Sequence, residues 1–298
     1  MALHYLWLFI AVICFSVQLT AVKEYNHRFS KGKATLFQFQ ALHLYVASGL
    51  TLIVCLAGGG FGPLLPATLW YGLLFGAVFI WFFFFYTMAI DTGPMSFTTL
   101  CNSSANIFPV LIGLLFWGET LSPLQYCGIA LVLVMFYLGS GIGTNTGENR
   151  KASGRWLIYV ALMMVCSGTL MTLTKLHPML TGGLQVPEFY TIGLGTAATI
   201  ALILSLIFHK GKGEAVNHLS PRLVGTCAIA GVGTCAGNQL MGLVASQGVN
   251  ASIMFPFVNG AQVVFITLIS TLVYRERLTR RTLIALGIGI IALVLISV

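Results

Sequence analysis

Thr99, Asn102, Ser103, Asn106 and Val110 recur at three- and four-residue intervals, so as a helix they share one face. Thr98, Cys101 and Ser104 lie beside that face, and all sit within Met95–Glu119, whose second half is as apolar as lipid. Amides and hydroxyls without a neighbouring acid or base suit recognition by hydrogen bonding and do not suit covalent chemistry. Three further stripes resemble this one: Ser252, Asn259 and Gln262 near Pro256; Thr234 and Asn238 beside Gln239; and Cys14 with Gln18. Ser, Thr and Cys in such stripes also serve as packing and hydrogen bonds between membrane helices. Asn and Gln carry both donors and an acceptor and are harder to satisfy that way. Asn102, Asn106, Asn238, Asn259 and Gln262 are therefore the residues expected to face a cavity.

The remaining polar groups are few. Glu148 and Glu214 stand in loops and are expected to be solvated, Glu119 and Glu276 to cap turns, and Asp91 to bond local backbone before Gly93-Pro94. Glu188 follows Pro187 at a helix start and is the acid best placed to be drawn into the membrane, as a proton or cation site or as an ordinary helix-start carboxylate. Lys23 and Lys175 close two helices, where a lysine either snorkels to the interface or attracts solute at a cavity mouth. In the run Trp81–Tyr86, Trp81 and Tyr86 have polar handles and could cap a cavity or stack on a solute. Pro109 and Pro256 interrupt the helical ladder and free carbonyls one turn earlier. The histidines (His4, His27, His43, His177, His209, His218) are scattered, and the cysteines fall in apolar runs without metal-ligand spacing. Neither a metal nor a cofactor is expected.

Only 7% of the 298 residues are charged, 57% are hydrophobic, and the mean hydropathy is +0.93. A soluble domain carries about a quarter charged residues, and the apolar runs are too long for barrel strands. The composition therefore predicts an all-α integral membrane protein. Runs of about twenty apolar residues give ten transmembrane helices: 3–22, 35–56, 66–90, 95–117, 124–142, 156–176, 188–208, 223–245, 251–273 and 282–298. The polar, glycine-rich stretch 143–155 divides them into two five-helix halves, residues 1–147 and 148–298.

Fourteen of the fifteen Lys and Arg residues fall in the loops after helices one, five, seven and nine; Lys175 alone falls on the other side. That asymmetry places the basic loops in the cytoplasm and both termini outside a plasma (inner) membrane. It also accounts for the net charge of +8, through contact with anionic lipid and without nucleic acid. The halves look like repeats. Cys14, Thr20 and Lys23 keep the spacing of Cys166, Thr172 and Lys175, and GETL at 118–121 parallels RERL at 275–278. The offset of 157 positions sets Asn102 opposite Asn259. An odd number of helices per half, with opposite loop charge, makes the repeats inverted, an arrangement of secondary transporters with a midplane site.

The run Pro109–Leu133, its partner Leu272–Leu295, and the small residue followed by Lys at Ser16…Lys23 and Gly168…Lys175 resemble the EamA-like ten-helix branch of the drug/metabolite transporter superfamily. The chain departs from that pattern at Phe15-Ser16, where the family has Trp-Gly, and at Gln38 and Gln40, where an arginine is usual. The resemblance implies a central cavity lined by helices one, three, four, six, eight and nine. It also implies cytoplasmic termini, against the charge count.

Together these readings predict a secondary active transporter, not an enzyme, moving a small neutral or zwitterionic metabolite by alternating access. The partners are that solute and the bilayer. Proton or ion coupling, and a monomer or homodimer, stay open. A lipid-modifying membrane enzyme would need paired acids or a His beside a nucleophile. A regulatory membrane protein would tolerate loss of Asn102 and Asn259.

Overall fold

A computed structural model describes residues 2–92, 95–139, 154–273 and 280–297. Its helices are α1 (Ala2–Arg28), α2 (Lys33–Ala57), α3 (Pro66–Thr92), α4 (Met95–Ser104), α5 (Ile107–Phe116), α6 (Pro123–Gly139), α7 (Gly154–Thr181), α8 (Val186–Lys212), α9 (Pro221–Ser246), α10 (Ala251–Val273) and α11 (Arg280–Ser297). Six of them, α1, α2, α3, α7, α8 and α9, are long and apolar enough to cross a membrane, and shorter apolar stretches fall within α4–α5, α6, α10 and α11. The ten expected spans are all present as helix, and the chain is a multi-pass membrane protein. The linker 140–153 and Glu276 lie outside the described residues.

Helix ends follow local chemistry. Pro66, Pro123 and Pro221 open α3, α6 and α9, where a missing N–H costs nothing. The Ser220 hydroxyl accepts from Leu223 N at 3.2 Å to cap α9. Gly213, at φ 65°, closes α8 in the left-handed region that favours glycine. The first helix runs to Arg28, six residues past its apolar end, and Glu24 and Arg28 pair one turn apart there.

The helices divide into two compact units, and each draws on both halves of the sequence. One unit holds residues 1–9, 81–172 and 248–298. Within it α6 runs along α11, and α10 packs on α5, α6 and α11. Gly128 lies against Ala292 and Ile296, and Gly289 against Met135. Ala89 on α3 joins Trp156, Val160 and Met163 on α7 in a buried cluster that Phe82, Phe85 and Tyr86 flank.

The other unit holds residues 10–80 and 173–247. Here α2 packs along α8 and also on α9. The loop after α8 is strapped to α2 and to the end of α1. Gln38 Nε2 donates to Asn217 O at 2.9 Å and Gln38 Oε1 accepts from Asn217 N at 2.8 Å, while Asn217 Nδ2 donates to Phe29 O at 2.9 Å. Glu214, expected in solvent, instead accepts from Ala34 N at 2.7 Å at the start of α2. A carboxylate there satisfies an orphan amide and meets the positive end of the helix.

The α3–α8 contact depends on missing side chains. A Cβ on Gly76 would lie 2.7 Å from Thr196 Cβ and 2.9 Å from Ala197 N. Close approach over glycine is how membrane helices gain packing where no hydrophobic force separates them from lipid. Gly76→Val is expected to cost about 1–3 kcal/mol by overpacking. A melting temperature of the purified protein unchanged from wild type would refute this.

Candidate functional site

The fourth span, expected as one helix over 95–117, is two. It breaks at Ala105–Asn106, between α4 and α5, inside the polar stripe. Pro109 supplies the cause: it has no N–H for the Ala105 carbonyl, and its ring crowds that carbonyl. The backbone tightens instead. Ala105 N donates to Cys101 O at 3.2 Å and Asn102 O at 3.1 Å, and Phe108 N reaches Ala105 O at 3.1 Å. The Asn106 side chain completes the turn by donating from Nδ2 to Ser103 O at 2.8 Å. Pro256 also lies within a helix, but α10 continues through it.

Asn106 is buried, and its Oδ1 accepts from Asn259 Nδ2 at 2.5 Å. The two stripes read from the sequence thus meet through asparagines, but Asn106, one turn on, and not the expected Asn102, is the residue bonded to Asn259. Asn102 lies one turn before Asn106, with its Oδ1 buried and unpartnered. Gln262, one turn beyond Asn259, is half-buried, as is Ser103. Thr99 lies on α4, but its side chain is outside the described residues. Neighbouring Thr98 is buried and accepts the Trp156 indole N–H at 2.9 Å, tying α4 to α7. The site therefore has two amide groups bonded to each other, one orphan acceptor, and two half-helix ends of opposite polarity. The C-terminal end of α4 carries partial negative charge and the N-terminal end of α5 partial positive charge.

The start of α10 is held by Glu119. Its Oε1 accepts from Ala251 N at 2.7 Å, and its Oε2 accepts from Ser252 N at 2.9 Å and Ser252 Oγ at 2.6 Å. The expected capping role is real, with the far helix as its object. Trp81 stands apart, half-exposed and stacked on Phe85 at 5.7 Å, and Tyr86 packs with the Trp156 cluster. An apolar pocket of about 270 Å³ lies in the same unit, lined mainly by side chains such as Phe257, Ala261, Val264 and Leu293, with Ser297 as the polar residue in its wall.

The second unit holds the other candidates. Gly233 on α9 lets α1 approach, since a Cβ there would meet Cys14 O at 2.6 Å and Gln18 Cβ at 3.0 Å. Thr234 is fully covered and bonds its own helix at Ala230 O, 2.8 Å. Asn238 Nδ2 likewise donates to Thr234 O at 2.8 Å. Gln239 Nε2 is buried and unpartnered. Lys23 and Lys175, expected to end their helices, are both interior to them and differ in setting. Lys23 is exposed, whereas Lys175 is buried and donates to Ala245 O at 3.4 Å near the C-terminus of α9. The negative end of that helix offsets the cost of burying its charge, so Lys175 is not a snorkelling group. Glu188, half-buried in the first turn of α8, lies beside Cys55.

Sequence reasoning passed over His177. It is fully buried beside Pro178 on α7, with Nε2 at 3.0 Å from Thr68 Oγ1 and its ring stacked on Phe189 at 4.4 Å. The signal was available, because an ionisable residue within an apolar span is a functional candidate whether or not it has partners in sequence.

No curated protein is similar in sequence to this chain. A crystal structure of a protein 16% identical in sequence is similar over 99% of this chain and 98% of its own, with a TM-score of 0.77. That likeness shows the ten-span fold. Residues 2–140, which contain the broken span and the Glu119 turn, match the EamA-like transporter family.

Proposed function

We propose that the protein is a secondary transporter that moves a small zwitterionic or neutral metabolite by alternating access, with the α4–α5 break as part of its binding site. The observation that carries this is the interruption of a membrane helix at its asparagine-rich face. A break in the regular helical ladder at membrane depth is tolerated where it is buried in protein or lines a cavity. In broken transporter helices the half-helix ends meet the charges of the solute. A negative helix end beside a positive one fits the ammonium and carboxylate of a zwitterion. The Asn102 carbonyl supplies an acceptor, and the Asn106–Asn259 pair supplies groups that can exchange their mutual bond for one to solute.

The inverted-repeat reading draws support from the packing of corresponding spans. Within one unit α2 lies along α8, and within the other α6 lies along α11 and α5 on α10. Those are the second and seventh, fifth and tenth, and fourth and ninth spans. The basic loops face the cytoplasm of the plasma membrane in this reading, and the termini lie outside.

Thermal-shift screening against amino acids, amines, sugars and nucleosides tests the substrate class. A ligand at about one hundred times its Kd stabilises by about 2.7 kcal/mol, so a true substrate raises the melting temperature by about 5 °C. Hits then go to proteoliposome uptake. Saturable flux of a zwitterion is the expected result. Absence of saturable flux for every class would refute the transporter.

A further inference from the structure

We propose that His177 is a proton-binding site that couples the conformation of its unit to pH. As a coupling device this rests on the transporter reading, although the site itself does not. The ring has no exposed surface, and Nδ1 has no hydrogen-bond partner. Nε2 is taken up by Thr68 Oγ1 at 3.0 Å, and one ring face by Phe189 at 4.4 Å with the planes 15° apart. Whichever tautomer is present, Nδ1 is unsatisfied: as N–H it lacks an acceptor, and as a bare nitrogen it lacks a donor. A buried orphan of this kind costs about 1–3 kcal/mol. A phenylalanine or leucine would pack against Phe189 without that cost, so packing alone gives no reason for an imidazole.

Full burial limits what Nδ1 can take. No water-sized room is left beside the ring, so the proton is exchanged when the unit opens. With Nε2–H donating to Thr68, the Nδ1 lone pair then takes a proton from hydronium, whose O–H bond breaks to leave water, and returns it to water in the reverse step. The surroundings then act in opposite directions. His177 lies one turn from the C-terminus of α7, where the helix end favours a cation, and the face of Phe189 does the same. The new Nδ1–H, however, is a charged donor with nothing to meet inside the packed unit, and it favours any conformation in which it reaches water. Proton occupancy thereby biases opening around α7, α3 and α8. Titratable neighbours on these and adjoining elements are Lys175, which donates to Ala245 O on α9; Glu188 on α8, beside Cys55 of α2; and Tyr190, packed on Phe189. Lys175 is held by its own partner and cannot stand in for the imidazole.

The test uses the full chain in lipid nanodiscs, labelled with nitrogen-15 histidine. His177 ring signals are identified by their loss in His177→Gln, whose amide can still bond Thr68. Spectra and amide hydrogen exchange are followed from about pH 8 to about pH 4, across and below the ordinary histidine range. At the top of the range the ring is expected to be neutral, with the proton on Nε2. Gain of a second proton is expected to accompany faster exchange in residues 66–76 and 173–181, after the intrinsic pH dependence of exchange is removed. One linked proton changes the opening equilibrium by up to about tenfold per pH unit. His177→Gln should lose that dependence. Thr68→Val, which keeps the ring, should retain it with a displaced midpoint. Equal pH dependence in wild type and His177→Gln overturns the proposal, as does a His177 ring that stays neutral throughout. The measurement uses no substrate, so a failed uptake screen leaves its result standing, and its own failure leaves the transporter reading intact.

Discussion

Asn259→Leu is expected to leave the protein folded and to weaken binding of the transported solute by roughly tenfold to one hundredfold. Leucine keeps the branched outline, with somewhat greater bulk, but removes the donor that Asn106 Oδ1 now accepts at 2.5 Å. The loss of one hydrogen bond to a buried group is worth about 1–3 kcal/mol, and each 1.4 kcal/mol is a factor of ten in affinity. Two readings of the pair give different results. If the asparagines only join helices, both Asn259→Leu and Asn106→Leu lower the melting temperature while solute affinity per folded molecule is unchanged. If they form the site, affinity falls further than stability does. Asn106→Leu is expected to be the more severe of the two, since Asn106 Nδ2 also holds Ser103 O at 2.8 Å and closes the helix break. A double-mutant cycle on binding should then be non-additive, because one bond serves both residues. Unchanged affinity in both single variants, measured by ligand titration, would remove the pair from the site.

How much of this could be read from the sequence differs by the range of the interaction. Spans follow from hydropathy, and the stripes from spacing along one helix, so Asn102, Asn106 and Asn259 could be selected without coordinates. Pro109 indicated that a carbonyl would be freed, but not that the ladder would be interrupted by a tightened turn at Ala105–Asn106 while α10 would continue through Pro256. A difference lies in the side chain next to the kink: Asn106 bonds the Ser103 carbonyl, an option that Pro256 lacks among its apolar preceding residues Ile253, Met254 and Phe255. Groups whose partners are remote could not be read at all. Glu214 looked solvated because nothing near it in sequence suggests Ala34 N as its partner, 180 residues away. Lys175 looked interfacial because the helix end that accommodates it belongs to α9, and His177 looked isolated because Thr68 lies on α3. Periodicity says which residues share a face but not what that face meets.

Glu119→Ala is expected to lower the stability of the unit containing α10 by about 2–4 kcal/mol, allowing for water replacing part of what a half-buried carboxylate supplies. Three donors converge on that carboxylate, two backbone amides at the start of α10 and the Ser252 hydroxyl. The first amides of a helix have no partner within it, and at the positive helix end a charged acceptor is stronger than a neutral one. The next two amides, Ile253 N and Met254 N, are served separately by Asn250 O at 3.1 and 3.0 Å. Glu119→Gln keeps one good acceptor and should lose about half as much. Gly113 extends the test, because a Cβ there would lie 2.6 Å from Ser252 Oγ and 2.8 Å from the Glu119 carboxyl carbon. Gly113→Ala should therefore displace the carboxylate and reproduce the Glu119 defect, and the double variant should be little worse than either single one. Thermal melts of the purified protein give the comparison, at about 1.5–2 °C per kcal/mol for a chain of this size. Melting of Glu119→Ala within about a degree of wild type would show that the cap contributes little. The functional consequence follows from position: Asn259 lies just over two helical turns beyond Ala251. A carboxylate that fixes where α10 begins also fixes whether Asn259 meets Asn106, so affinity should fall along with stability in the Glu119 variants.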